Sequence, residues 1–156
     1  MSTLDIREEG EADLVVSRRF SAPPERVFRA HVEPEIIRRW MNVGEGWTME
    51  IVLCDARPGG GFCYAYANGA QSFRIEGTFL ELDPPGRILH VERMVMGDGP
   101  APETRIETRF APEGGGTRML MRMSYPDAAA RAAALEMGMG DGMATTYDAL
   151  EALEAA

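Results

Sequence analysis

Within "RILHVERMVM", His90 and Glu92 are the residues best placed to do chemistry. They stand two apart in a segment that alternates like a strand, so both side chains project to the same side of a sheet. An imidazole beside a carboxylate is a proton-moving pair, and in a space shielded from water it can serve as acid and base. Their facing decides the matter. Apolar Leu89 and Val91 argue for a solvent-facing pair, whereas Met94 and Met96 share the parity of His90 and argue for the interior. The expectation is the solvent face. His31 closes a short helical stretch and is expected to be solvated or to cap it. His31 and His90 are the only histidines, and Cys54 and Cys63 do not make a CxxC, so neither a metal nor a cofactor is expected. There is no nucleophile elbow, and no HExxH. "GGGF" and "EGGGTR" are glycine-rich, but each joins two strands, whereas a phosphate cradle opens a helix.

Other residues suit binding better than catalysis. Trp40, Trp47, Tyr64, Tyr66 and Phe73 offer large apolar faces, and the tyrosine hydroxyls can orient a polar group of a ligand. Methionine is over-used, at 11 residues. In "TRMLMRMSY", Met119, Met121 and Met123 share one face. In "EMGMGDGMATTYDALEAL", Gly138, Gly140 and Gly142 interleave with Met137, Met139 and Met143. Three glycines inside a helix cost about 3 kcal/mol against alanine, so something other than propensity favours small residues there. Gly138 and Gly142 share a helix face, and methionine adapts its shape to irregular contents. The expected ligand-binding set is therefore Trp40, Trp47, Tyr64, Tyr66, Phe73, Met94, Met119, Met121, Met139, Gly142 and Met143.

These residues need elements to hold them. Residues 1–12 lack periodicity and read as a loose leader; residues 13–156 read as a single domain. "DLVVSRRF" reads as a strand. "SAPPERVFRAHV" follows, with Ser21 placed to cap and the prolines confined to a first turn, and Pro34 separates it from a second short helix. Six strands come next, over residues 48–55, 62–66, 72–82, 87–96, 103–111 and 117–125, each bounded by turn residues. Asn68-Gly69 is expected to make a tight hairpin, and Gly77 a bulge. From Ala132 to Leu153, apolar residues recur at three- and four-residue steps, which predicts one continuous helix of about 27 residues. The order is α+β: a curved antiparallel sheet of about seven strands around a long C-terminal helix. A straight helix on a curved sheet does not sit flush, and the gap is a natural apolar pocket.

Composition narrows the function further. A net charge of -9 argues against nucleic acid and anionic membranes as partners. Nor is there an apolar run long enough for membrane insertion, and two cysteines suit a reducing, cytoplasmic setting.

The stretch "DLVVSRRFSAPPERVFRAHVEPEIIRRWM" resembles the opening of the activator-of-heat-shock-protein-90-ATPase homologue-like family. The likeness continues through "GWTMEIVLCDARPGGGF", "GTFLELDPPGRILHVERM" and "GMGDGMATTYDALEALEAA", nearly the whole chain. That family sits in the START-like, helix-grip superfamily, with polyketide cyclases and plant pathogenesis-related proteins. The resemblance implies a sheet gripping the C-terminal helix around a hydrophobic cavity. Three functions follow in order. First is a non-catalytic carrier or sensor of a small hydrophobic molecule. Second is a cyclase- or dehydratase-type enzyme with His90 and Glu92 as acid and base. Third is a chaperone-interacting ATPase activator, ranked last because activity does not transfer with a fold. A homodimer is left open.

Overall fold

The computed structural model describes residues 4–42, 44–97, 99, 100 and 102–155, with the side chains of residues 100 and 155 left aside. Strands β1 (Asp5–Glu9) and β2 (Asp13–Phe20) precede helices α1 (Pro24–Val32) and α2 (Pro34–Trp40). Then come β3 (Thr48–Cys54), β4 (Gly61–Asn68), β5 (Gln71–Asp83), β6 (Arg87–Met96), the two-residue β7 (Gly99–Pro100), β8 (Thr104–Glu113) and β9 (Gly116–Ser124). The chain closes with α3 (Ala128–Glu136) and α4 (Met139–Ala155). The sheet is antiparallel and open, in the order β1-β2-β9-β8-β6-β5-β4-β3, with β7 pairing only on β6. This is the helix-grip arrangement, with eight strands along the path rather than about seven.

The extra strand comes from the segment expected to be a loose leader. Asp5–Glu9 pairs antiparallel with Asp13–Ser17 across a turn at Gly10, whose φ of 60° needs glycine. Ile6 is the one β1 residue that packs on the core, and its charged neighbours hide any apolar period. Arg122 adds ion pairs to Glu9 and Asp13, at 2.7 and 2.9 Å.

The C-terminal helix is also not continuous. Gly138 has a φ of +81°, so α3 ends there and α4 starts afresh at Met139. Gly138 N–H donates to the Leu135 carbonyl at 3.1 Å, closing α3. Asp127 caps the other end by accepting from Ala130 N at 2.8 Å. The predicted stripe breaks with the helix. Leu135 is exposed on α3, which buries no residue, whereas Tyr147 and Leu150 on α4 are buried.

Smaller expectations also shift. Ser21 caps nothing; its hydroxyl donates to Glu151 and its N–H bonds the same carboxylate, tying the start of α1 to α4. The hairpin turn falls on Gly69-Ala70, since Asn68 already pairs with Gln71. The irregularity in β5 lies between Phe79 and Glu81, not at Gly77. A Cβ on Gly77 would lie 2.0 Å from the Val91 carbonyl oxygen and 2.8 Å from the Phe62 ring, so glycine there permits a close approach.

Candidate functional site

Directly opposed residues in an antiparallel sheet share a face, so the register traces the inward surface strand by strand. Leu14, Val16, Arg18 and Phe20 on β2 oppose Met123, Met121, Met119 and Thr117 on β9. The last row continues through Ile106, Thr108 and Phe110 on β8 to His90 and Ile88 on β6. Phe79, Gly77 and Ile75 on β5 lie opposite His90, Glu92 and Met94. Phe62, Tyr64 and Tyr66 on β4 come next, then Cys54, Ile51 and Met49 on β3. This face carries the core.

His90 and Glu92 therefore point inward, against the solvent-facing expectation. His90 is 16% and Glu92 27% exposed, and His90 Nε2 lies 2.9 Å from Glu92 Oε1. The imidazole meets the Phe62 ring edge-on at 5.5 Å. Leu89, on the outer face, is buried for a different reason. Its cross-strand neighbours are Glu81 and Glu107, and Arg87 bonds both carboxylates at 2.8 Å. That ionic arch covers an outward leucine, so its apolar character misreported the facing.

His31 is not solvated either. Its ring packs at 5.0 Å from Trp40, 4.9 Å from Phe110 and 6.0 Å from Tyr147. Nδ1 lies 2.7 Å from the Val27 carbonyl, and Nε2 is shut off from solvent with no partner. Burial pushes its pKa down to about 4, with the Val27 hydrogen bond opposing and nearby His90 adding a little. His90 Nδ1 is likewise buried without a partner.

The Glu92 carboxylate acts electrostatically on four phenols: Tyr64 and Tyr66 on β4, Tyr125 after β9, and Tyr147 on α4. Burial raises the pKa of each, that of Tyr125 to about 12, and the Glu92 carboxylate pushes all four further. For Tyr64 the contact with Cys54 outranks the carboxylate's influence. Tyr66 donates to the Met41 carbonyl at 3.0 Å, and Tyr125 approaches Met139 Sδ at 3.4 Å. Glu92 is thus an interior carboxylate whose field reaches tyrosines from several elements.

The expected ligand-binding residues divide into two groups. Trp40, Met119 and Met121 are packed solid: Trp40 donates from Nε1 to the Ala30 carbonyl at 2.9 Å and stacks on Tyr147 at 5.5 Å. Met119 sits between Arg18 and Phe110 in the register. Tyr64 and Tyr66 are buried but border the less covered end of the face, where Phe73, Ile75, Met49, Ile51 and Met94 are half-buried. Phe73 stacks on Tyr66 at 4.8 Å and meets Trp47 at 5.5 Å. Met139 and Met143 pack against the core from α4, half-buried, and a Cβ added to Gly142 would meet nothing within 4 Å.

Arg18 lies outside the expected set, although "LVVSRRF" places it in phase with Leu14, Val16 and Phe20. It is 1% exposed, its Nη1 lies 2.5 Å from Asp148 on α4, and its guanidinium covers Phe20 at 5.3 Å. The pair clamps α4 to β2. Tyr147 also lies outside the expected set, though it stands four after Met143 and three before Leu150. Two surface hollows lie elsewhere, one of about 280 Å³ beside Arg26, Arg39 and Leu153, the other of about 440 Å³ beside Phe28, Arg57 and Leu82. Neither is lined by His90 or Glu92. Among the described residues, no three His, Cys, Asp or Glu side chains group as metal ligands, and no helix is long and apolar enough to cross a membrane.

The family model for activator of Hsp90 ATPase homolog 1-like proteins matches residues 21–154. The chain belongs to this family. Its solved structural relatives include a Rhodobacter sphaeroides protein, 25% identical with a TM-score of 0.88, covering 97% of this chain and 98% of the other. Protein Ms6760 from Mycobacterium smegmatis is 21% identical with a TM-score of 0.87, covering 98% and 96%. Protein CV1439 from Chromobacterium violaceum is 25% identical with a TM-score of 0.75, covering 92% and 98%. No curated protein matches the chain. Membership in the activator of Hsp90 ATPase homolog 1-like family accords with the helix-grip fold and with a role in binding small ligands, and it leaves the ligand open.

Proposed function

We propose that this protein binds a small, mostly apolar molecule between α4 and the β3–β6 part of the sheet, as a carrier or sensor. The observation that carries the reading is the uneven cover of the inward face. Its β2, β8 and β9 rows are buried, whereas Met49, Phe73, Ile75 and Met94 remain half-covered, as do Met139 and Met143 on α4. Aromatic and thioether surfaces of this kind suit an apolar guest. Trp40, Met119 and Met121 belong to the supporting core; Trp47, Tyr64, Tyr66, Phe73, Met94, Met139, Gly142 and Met143 line the site.

The experiment is titration with the neutral fluorescent probe N-phenyl-1-naphthylamine. Saturable binding is expected for the native protein, and Gly142→Leu should abolish it with the circular dichroism spectrum unchanged, because the new side chain enters space that is open. Binding that Gly142→Leu leaves unchanged would take the site away from this part of α4.

A second reading is acid/base catalysis, favoured by the inward-facing His90–Glu92 contact at 2.9 Å. Glu92→Gln retains shape while removing the titratable proton. In a carrier it leaves probe affinity within about twofold; in an enzyme it lowers turnover by about 10² to 10⁴-fold.

A further inference from the structure

Resting on the apolar site just proposed, we infer that Glu92 is its polar anchor, so that the guest is an apolar amine whose ammonium group binds the carboxylate. The cross-strand register places Glu92 in that site. On the inward face it stands beside Met94, two residues along β6, and opposite Gly77 on β5. Ile75, which pairs with Met94, is its diagonal neighbour at about 7–8 Å. Phe62 and Tyr64 continue the same two rows on β4. In the row of Glu92, Phe62 and Thr104 are buried, whereas Ile75 and Met94 in the next row are half-covered. Glu92 therefore marks the inner limit of the site.

The carboxylate has room for a partner. Among the described residues its one hydrogen bond is with His90, whose Nε2 lies 2.9 Å from Oε1. A carboxylate accepts, so Nε2 carries the proton there and Oε2 is left open. The side chain keeps 27% exposure, so that oxygen is reachable. Its charge also extends through the interior, where it helps raise the pKa of Tyr64, Tyr66, Tyr125 and Tyr147. Tyr125 in turn touches Met139 Sδ at 3.4 Å, which brings α4 into the same surroundings. A carboxylate turned inward on a largely apolar face is costly, and a cation that pairs with it offsets that cost. The aromatic wall favours the same sign. Tyr66 stacks on Phe73 at 4.8 Å and Phe62 tilts against Tyr64 at 5.3 Å, and such ring faces attract an ammonium group. Arg18 is a cation on this face, and its Nε is buried without a partner. It does not serve Glu92, because β2 lies three strands from β6, about 14 Å along the sheet. Asp148 holds its Nη1, and at 1% exposure it is closed to a guest.

The test compares 2-naphthylmethylamine, 2-methylnaphthalene and 2-naphthoate, which share one bicyclic ring system and carry positive, zero and negative charge. Affinities come from displacement of N-phenyl-1-naphthylamine from the full chain, with the Glu92 side-chain carboxyl ¹³C shift read by NMR at each point. The amine should bind about tenfold or more tighter than 2-methylnaphthalene, as a hydrogen bond to a charged group provides. The carboxyl resonance should move with the amine and not with 2-methylnaphthalene, and 2-naphthoate should bind weakest. Glu92→Gln keeps the shape and deletes the charge, so it should bring the affinities for the amine and 2-methylnaphthalene together. A preference for the amine that survives Glu92→Gln comes from the net charge of -9 and overturns the inference. Equal affinities in the native chain, an unmoved carboxyl resonance, or tightest binding of 2-naphthoate would each overturn it too, while leaving an apolar site intact. Failure of every probe to bind would remove the apolar site, and the inference with it. If Glu92→Gln does not fold, the affinity and shift series on the native protein still decides.

Discussion

Gly138 and Gly142 lie in the same glycine-methionine run, yet replacing them with alanine should have opposite effects. Gly142 lies inside α4 with a helical backbone, and a Cβ there meets nothing within 4 Å. Alanine should gain about 1 kcal/mol of helix propensity. For a chain of 156 residues that raises the melting temperature by about 2–4 °C. Gly138 also has open space for a Cβ, but its φ of +81° is left-handed. An L-residue held there costs about 1–2 kcal/mol. Loss of glycine's freedom in the unfolded chain returns about 0.4–1 kcal/mol. The net is a loss of about 1 kcal/mol and a fall of about 2–4 °C. The two variants should therefore separate by about 4–8 °C in thermal circular dichroism, with the same ordering in urea midpoints. A continuous C-terminal helix predicts instead that both variants rise together. If Gly138→Ala is stabilised as much as Gly142→Ala, the break between α3 and α4 is wrong.

Two further outcomes are expected. The pKa of His31 is pushed from its ordinary 6.5 to about 4, so between those values the unfolded chain holds more protons than the folded one. His31's contribution is complete above pH 6.5 and is lost as pH falls toward 4, by at most about 3.4 kcal/mol; urea unfolding of native protein and His31→Phe across that window should show a steeper slope in the native chain, the remainder coming from paired carboxylates such as Glu107. Gly77→Ala places a Cβ 2.0 Å from the Val91 carbonyl oxygen and should cost about 2–3 kcal/mol in urea unfolding, whereas a change under about 0.5 kcal/mol would show that β5 shifts freely.

Local chemistry determined a great deal. Alternation within strands, proline at the start of α1 and α2, and glycine-rich turns give the α+β order and most element positions, because each depends on neighbours a few residues apart. The same alternation placed Met119, Met121 and Met123 together on the inward face. Facing and continuity were decided elsewhere. Leu89 looked like a core residue because it is apolar, but it is buried on the outer face by Arg87, Glu81 and Glu107, which lie on three strands. His90 looked solvated, and opposes Phe79 and Ile106 instead. The helical period runs unbroken through Gly138, since periodicity records which residues are apolar and carries no sign of φ. β1 was invisible because a short charged edge strand gains its order from the partner strand and from Arg122, not from its own pattern. His31, His90, Glu92 and the four tyrosines come from segments up to 116 residues apart (31 to 147). Their shared space exists only once α1, α4 and the sheet are packed, and burial, which sets their chemistry, is a property of that packing alone.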